Sequence, residues 1–167
     1  MKRERVILVG QAPSRNRDPK RPLIGGKSGY FLQQLCGMTL LQYVRRFETV
    51  NLLSSYPGGS SNGDRFPMKQ ARISAALFAE GWAGRRAIFL GQKVAQAFDR
   101  QVVPFFEWTA DARGFRFAVM PHPSGVNRFW NRSENHAKAR AFLAEFAVKP
   151  AVQKENEDGK GKARISG

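Results

Sequence analysis

Four short apolar runs divide the chain. RVILV over 5–9 is continuous, β-branched and ends at Gly10. FETVNLL over 47–53 runs into the Gly/Ser-rich segment SSYPGGSSNGDRFP. RAIFL over 86–90 closes at Gly91, and RFAVM over 116–120 stops at Pro121. Runs that do not alternate with polar residues suit strands buried on both faces of a parallel sheet. Between them, apolar residues recur at helical spacing. Phe31, Leu32, Leu35 and Cys36 follow Ser28, a residue able to cap a helix. Ile73, Leu77 and Phe78 share a face behind Pro67. Val94 and Phe98 mark a short helix. Ala139, Phe142, Leu143 and Phe146 form the stripe of a last helix over 134–147, capped by Ser133. Residues 101–115 carry no readable period. Strand followed by helix, four times over, predicts an α/β chain: a three-layer α/β/α architecture around a central four-stranded, mostly parallel sheet.

In such sheets ligands bind beyond the carboxyl ends of the strands, where the strand order reverses. The informative polar residues all fall at that edge: Gln11 to Ser14 after the first run, Asn51 with Ser54 and Ser55, Gln92 after Gly91, and His122 to Ser124. The pattern predicts one domain over 1–149 and a disordered polar tail over 150–167, which has no apolar period.

The chain has 167 residues, 42% of them hydrophobic, enough for one ordinary core. Lys and Arg number 28 against 13 Asp and Glu, a net charge of +15. The tail carries only +1 of this, leaving +14 on the domain. Such an excess favours a polyanionic partner, nucleic acid before an anionic membrane. The single cysteine, Cys36, excludes an internal disulfide and any cysteine-built cluster, and its apolar setting predicts a buried structural thiol. The N-terminal apolar run is too short for a signal peptide or a membrane span, so the expectation is a cytoplasmic monomer with no membrane partner.

Residues 116–132 carry the densest chemistry. A buried strand breaks at Pro121, presents His122, and continues through Pro123, Ser124 and Gly125 into the basic and aromatic cluster Asn127, Arg128, Phe129, Trp130, Asn131 and Arg132. Prolines stiffen the turn, and a rigid scaffold can aim such a loop. A second basic loop, over 11–22, holds Arg15, Arg17, Lys20 and Arg21, with Lys27 beyond it. It leads into Gly25, Gly26 and Gly29, where the backbone can turn tightly or approach a ligand.

Taken together these segments resemble the uracil-DNA glycosylase superfamily. GQAPS resembles the family's first motif, nearest to the GEAPG of its iron–sulfur branch. LIGGKSGYFLQQL resembles PFVGxxGxxL, TVNLL the TNVV strand, FLGQKVAQAF the LGxxAxxAL segment, and MPHPSG the HPS motif. The likeness runs in order from about Val6 to about Phe146. It implies a uracil-DNA glycosylase-like fold and an enzyme that flips an altered base out of DNA and hydrolyses its N-glycosidic bond without cofactor or metal. By the same resemblance, Gln11 and His122 are the catalytic residues, and His122 donates to the pyrimidine carbonyl. Asn51 reads the base edge. Ala12, Pro13, Leu23, Gly25 and Ser124 line the substrate site. Arg15, Lys27, Asn127, Arg128 and Arg132 meet the DNA, with Phe129 and Trp130 as a wedge. Trp130 could equally anchor the last helix, and His136 reads as a packing residue.

The chain also departs from the family. Every carboxylate that the resemblance would supply is missing: Gln11 stands for the glutamate of GEAPG, Ala12 for the aspartate of GQDPY, and Gly26 for the aspartate of a third branch. An amide can orient a water but cannot take its proton. Leu23 replaces a phenylalanine that stacks on the base, and with Gly26 it hints at a roomier pocket for a modified base. The cluster cysteines are absent. Two other readings stand beside the glycosylase: a catalytically weak or inactive relative that binds altered or single-stranded DNA, and an enzyme of free nucleotides, which the charge of the domain disfavours.

Overall fold

A computed structural model of the chain describes residues 4–61, 63–100 and 103–147; the polar tail lies outside the described residues. In chain order the elements are β1 (Val6–Gly10), α1 (Gly26–Cys36), α2 (Leu40–Arg46), β2 (Phe47–Asn51), the short strands β3 (Gly59–Ser60) and β4 (Gly63–Asp64), α3 (Met68–Glu80), β5 (Arg86–Leu90), α4 (Gln92–Ala97), β6 (Thr109–Ala110), β7 (Arg116–Met120) and α5 (Ser133–Leu143). Single 3₁₀ turns over Arg128–Asn131 and Ala144–Phe146 flank α5.

The central sheet has the order β2-β1-β5-β7-β6. The first four of these pair in parallel, with Gly10 opposite Asn51 and Leu90 opposite Met120. The sheet thus has one strand more than the pattern predicts. The unreadable stretch supplies β6, which pairs antiparallel with β7 through two residues, too few to carry a period. Side chains leave a strand on alternating faces. Ile7, Val9, Ala87, Phe89, Phe117 and Val119 meet α3 and α4 on one face, while Val6, Leu8, Ile88, Leu90 and Met120 meet α1, α2 and α5 on the other. The architecture is therefore three layers, α/β/α. On the first face Phe89 stacks on Phe98 at 4.5 Å and on Phe117 at 5.5 Å. Burying each such side chain contributes about 1.5–3 kcal/mol.

Three local expectations are corrected. In α3 the buried residues are Ala71 and Ala75, with Phe78 stacked on Trp82, while Ile73 and Leu77 are exposed. The helix approaches the sheet through its alanines because Trp82 and Phe98 already fill that space. Ser28 does not cap α1: the helix starts at Gly26 behind the N-cap Gly25, both at positive φ, so Ser28 lies inside its first turn. Ser133 is likewise the first residue of α5 and makes no cap bond. The helix α2 did not emerge from the apolar period, although Thr39 and Gln42 form a reciprocal capping box at its start. Cys36 is only partly buried, yet desolvation pushes its pKa up to about 12, so the thiol is inert.

Candidate active site

The chain runs from β1 to β2 on one side, then crosses back past β1 to β5 and β7. The strand order therefore reverses at β1, and the crevice lies beyond the carboxyl ends of β1 and β5. Gly91 follows β5 with φ 105°, and its N–H donates to the Met120 carbonyl at 2.7 Å. A Cβ on Gly91 would lie 3.3 Å from the His122 Cβ and 3.4 Å from the Gln11 Nε2. The fold thus brings Gln11 and His122 together over a backbone that only glycine suits.

His122 is held through its own carbonyl, which accepts from the Asn127 Nδ2 at 2.9 Å and from the Trp130 Nε1 at 2.9 Å. The Trp130 ring packs edge-on against Phe31 at 4.9 Å, and His136 Nε2 lies 2.7 Å from the Trp130 carbonyl. Phe129 packs against Phe105 and Phe106. The Asn127 Oδ1 accepts from the Phe129 N–H, and the Ser124 Oγ accepts from the Val126 N–H. Asn127, Phe129 and Trp130 are thus turned inward, and the anchor reading of Trp130 is the one observed. The reason is an unpaired carbonyl at the strand end that needs donors. The exposed apolar residue of this loop is Val126, at 89%. Burial holds the His122 pKa below its ordinary 6.5; the Asp64 carboxylate pulls it upward and the Lys93 ammonium pulls it down. The imidazole is neutral at neutral pH.

Asn51 ends β2 beside Gly10. A Cβ on Gly10 would collide with the Asn51 Oδ1, so the glycine lets this amide lie across the end of β1. The Asn51 Oδ1 is buried and has no hydrogen-bond partner among the described residues. Leaving such an acceptor unsatisfied costs about 1–3 kcal/mol, which a ligand donor would relieve. The Leu23 Cδ2 lies 3.4 Å from the same Cβ position. Leu23 has φ 57°, a left-handed conformation that costs about 1–2 kcal/mol in a residue with a branched side chain. The Tyr43 hydroxyl donates to its carbonyl at 3.4 Å, and Gly29 of α1 packs against that carbonyl too closely for a side chain.

The space over Gly26 is not empty. The Arg17 guanidinium lies there, with Nε 2.8 Å from where a Cβ would stand. Arg17 thus takes the space that a side chain at position 26 would fill. Pro13 is buried and Ala12 packs on the core, so both shape the loop from behind. Gly25, at φ 70°, turns the chain into α1. Arg15, Lys27, Arg128 and Arg132 are exposed around the crevice, as are Arg17, Lys20, Arg21, Arg65 and Lys93. Among the described residues none of these nine cations makes an ion pair.

Three residues of this edge were not singled out by the motifs: Arg17, Asp64 and Val126. Arg17 was legible only as one of several basic residues in its loop. Among the described residues no group of His, Cys, Asp and Glu could hold a metal ion, and no helix is long and apolar enough to cross a membrane. Compared with models of protein families and with curated proteins, the chain matches none.

Proposed function

We propose that the chain is a monofunctional DNA glycosylase with a uracil-DNA glycosylase-like fold, which removes uracil or a related altered base. The observation that carries this reading is the buried, unpartnered Asn51 Oδ1 beside the Gln11–Gly91–His122 contact. That is a polar crevice with an acceptor waiting for a donor such as a base N–H. The ring of unpaired cations supports a polyanionic ligand, whose phosphates they would neutralise.

In this reading a base is flipped into the crevice. Asn51 accepts from its N–H, and neutral His122 donates to the carbonyl oxygen where negative charge develops as the glycosidic bond breaks. The Gln11 amide orients water. Val126, and not the inward-turned aromatics, fills the gap left in the stack. The free-nucleoside or nucleotide reading loses ground because so small a ligand has too few phosphates to meet a set of cations spread over several loops.

The test is base release from labelled oligonucleotides carrying uracil, hypoxanthine, xanthine or a 5-substituted pyrimidine, single- and double-stranded, followed by alkali cleavage. Release that is lost in His122→Ala with DNA binding kept is the expected result. Binding without release from any substrate would overturn the enzyme reading in favour of a protein that only recognises DNA.

A further inference from the structure

The glycosylase reading leaves one chemical gap: Gln11 can hold a water but cannot take its proton. We propose that Asp64 is the carboxylate of this site, holding the attacking water and accepting its proton. The inference rests on the glycosylase reading and adds to it a general base from outside the resembling motifs.

The placement follows from how the chain continues past Asn51. The Leu52 N–H donates to the Gly10 carbonyl at 3.1 Å and the Leu53 N–H to the Gln11 carbonyl at 2.9 Å. Both leucines are buried, so the segment leaving β2 is pinned to the backbone that presents Gln11. Tyr56 follows, half-buried, and the chain then turns back through β3 and β4. Gly59 stands opposite Asp64, the Ser60 Oγ donates to the Gly63 carbonyl at 2.8 Å, and the Arg65 N–H donates to the Gly58 carbonyl at 2.9 Å. The Tyr56 hydroxyl donates to the Asp64 Oδ1 at 3.2 Å. This hydrogen bond ties the hairpin to the segment anchored on Gln11 and leaves Oδ2 open to solvent.

Two further observations agree. The Asp64 carboxylate is near enough for its charge to favour the protonated His122 imidazole, which agrees with the placement that the hairpin gives it. Several other carboxylates are committed elsewhere: Asp18 to the Lys20 N–H of its own turn, Glu4 and Glu48 to Arg85, Glu145 to Arg86, Asp99 to Arg72, and Asp111 to Arg100 and Arg113, while Glu80, Glu107 and Glu134 lie on or beside other elements, away from the Tyr56 segment. The charged and titratable groups around the pair are Tyr56 and His122 beside Asp64, Arg15 beside Tyr56, and Lys93 beside His122.

The step balances without a further reactant. The C1′–N bond breaks and its electron pair leaves on the base, which His122 stabilises by donating a hydrogen bond. The water oxygen bonds to C1′ and its proton passes to Asp64, from which it returns to solvent. Attack on a sugar already cationic needs only a weak base, which suits a carboxylate.

The experiment compares wild type with Asp64→Asn and Asp64→Glu in single-turnover base release, DNA affinity, thermal unfolding and the NMR titration of His122. Asp64→Asn is expected to lose about 10²-fold in rate. It should keep its unfolding temperature, because Asp64 is exposed, and bind DNA at least as well, because a negative charge is gone. The His122 titration should move lower, and Asp64→Glu should recover part of the rate. Release by the wild type that Asp64→Asn leaves within about threefold, or a His122 titration that does not move, overturns the proposal alone. A wild type that releases no base from any substrate removes the glycosylase reading and this proposal with it.

Discussion

The two ends of the central sheet are built on opposite terms. At the amino end, Arg85 and Arg86 are paired with carboxylates. Arg85 donates to Glu48 at 2.8 Å and to Glu4 at 3.3 Å. Arg86 reaches Glu145 at 3.3 Å, a carboxylate that also accepts from the Trp108 Nε1 at 2.7 Å, and its guanidinium lies over the Trp108 and Phe146 rings. At the carboxyl end, nine cations make no ion pair among the described residues, the Asn51 Oδ1 has no partner among them, and Leu23 holds a left-handed backbone. Both ends rest on the same buried strands. The difference teaches where to look for function: one end closes its charges within the fold, while the other keeps a buried acceptor and a set of cations that a ligand would complete.

The contrast can be broken most sharply at His122. His122→Ala is expected to lower base release about 10³-fold with DNA binding retained, measured in single turnover. The same residue sets a pH dependence. Its pKa lies below 6.5, so the neutral ring persists past that pH, and the wild-type rate should hold through pH 6.5 and fall only at the lower pH where the imidazole protonates. A rate that instead climbs in acid would mean that imidazolium is the working form.

A paired comparison comes next. Asn51→Leu should cost about 10²-fold in base release while leaving stability unchanged or raised by about 1 kcal/mol, because an unsatisfied acceptor is removed. Arg85→Ala should do the reverse, losing about 1 kcal/mol in denaturant unfolding with the rate untouched. Equal effects of both variants on stability would erase the distinction between the two ends. The smallest effect belongs to the rim. Arg128→Ala and Arg132→Ala should each weaken DNA binding across sequences and lower the slope of log affinity against log salt by about 1.

How far the site could be read in advance follows from the kind of signal each residue carries. Gln11 and His122 follow apolar runs closely and Asn51 lies near the end of one, so their position at one edge was legible. Asp64 sits in a Gly/Ser-rich stretch with no period, and only the Tyr56 hydrogen bond and the hairpin bring it to that edge. Arg17 looked like its basic neighbours until its guanidinium was found over Gly26. Trp130 was open between wedge and anchor because both uses want an aromatic beside arginines; the His122 carbonyl decided it. In α3 the apolar count favoured Ile73 and Leu77, but Ala71 and Ala75 face the core, where Trp82 and Phe98 fill the remaining space.

What the sequence determined by itself is the layered α/β plan. Strand runs and helical stripes are local patterns, set by how side chains alternate along each element, and they can be read one segment at a time. The tertiary structure alone decided that β1 lies between β2 and β5, and so where the crevice opens. It also decided that the Asn51 acceptor is left unmet and that Asp64 comes within electrostatic reach of His122. These depend on which strands pair and how loops far apart in the chain pack, and a contact between distant segments leaves no period in either of them.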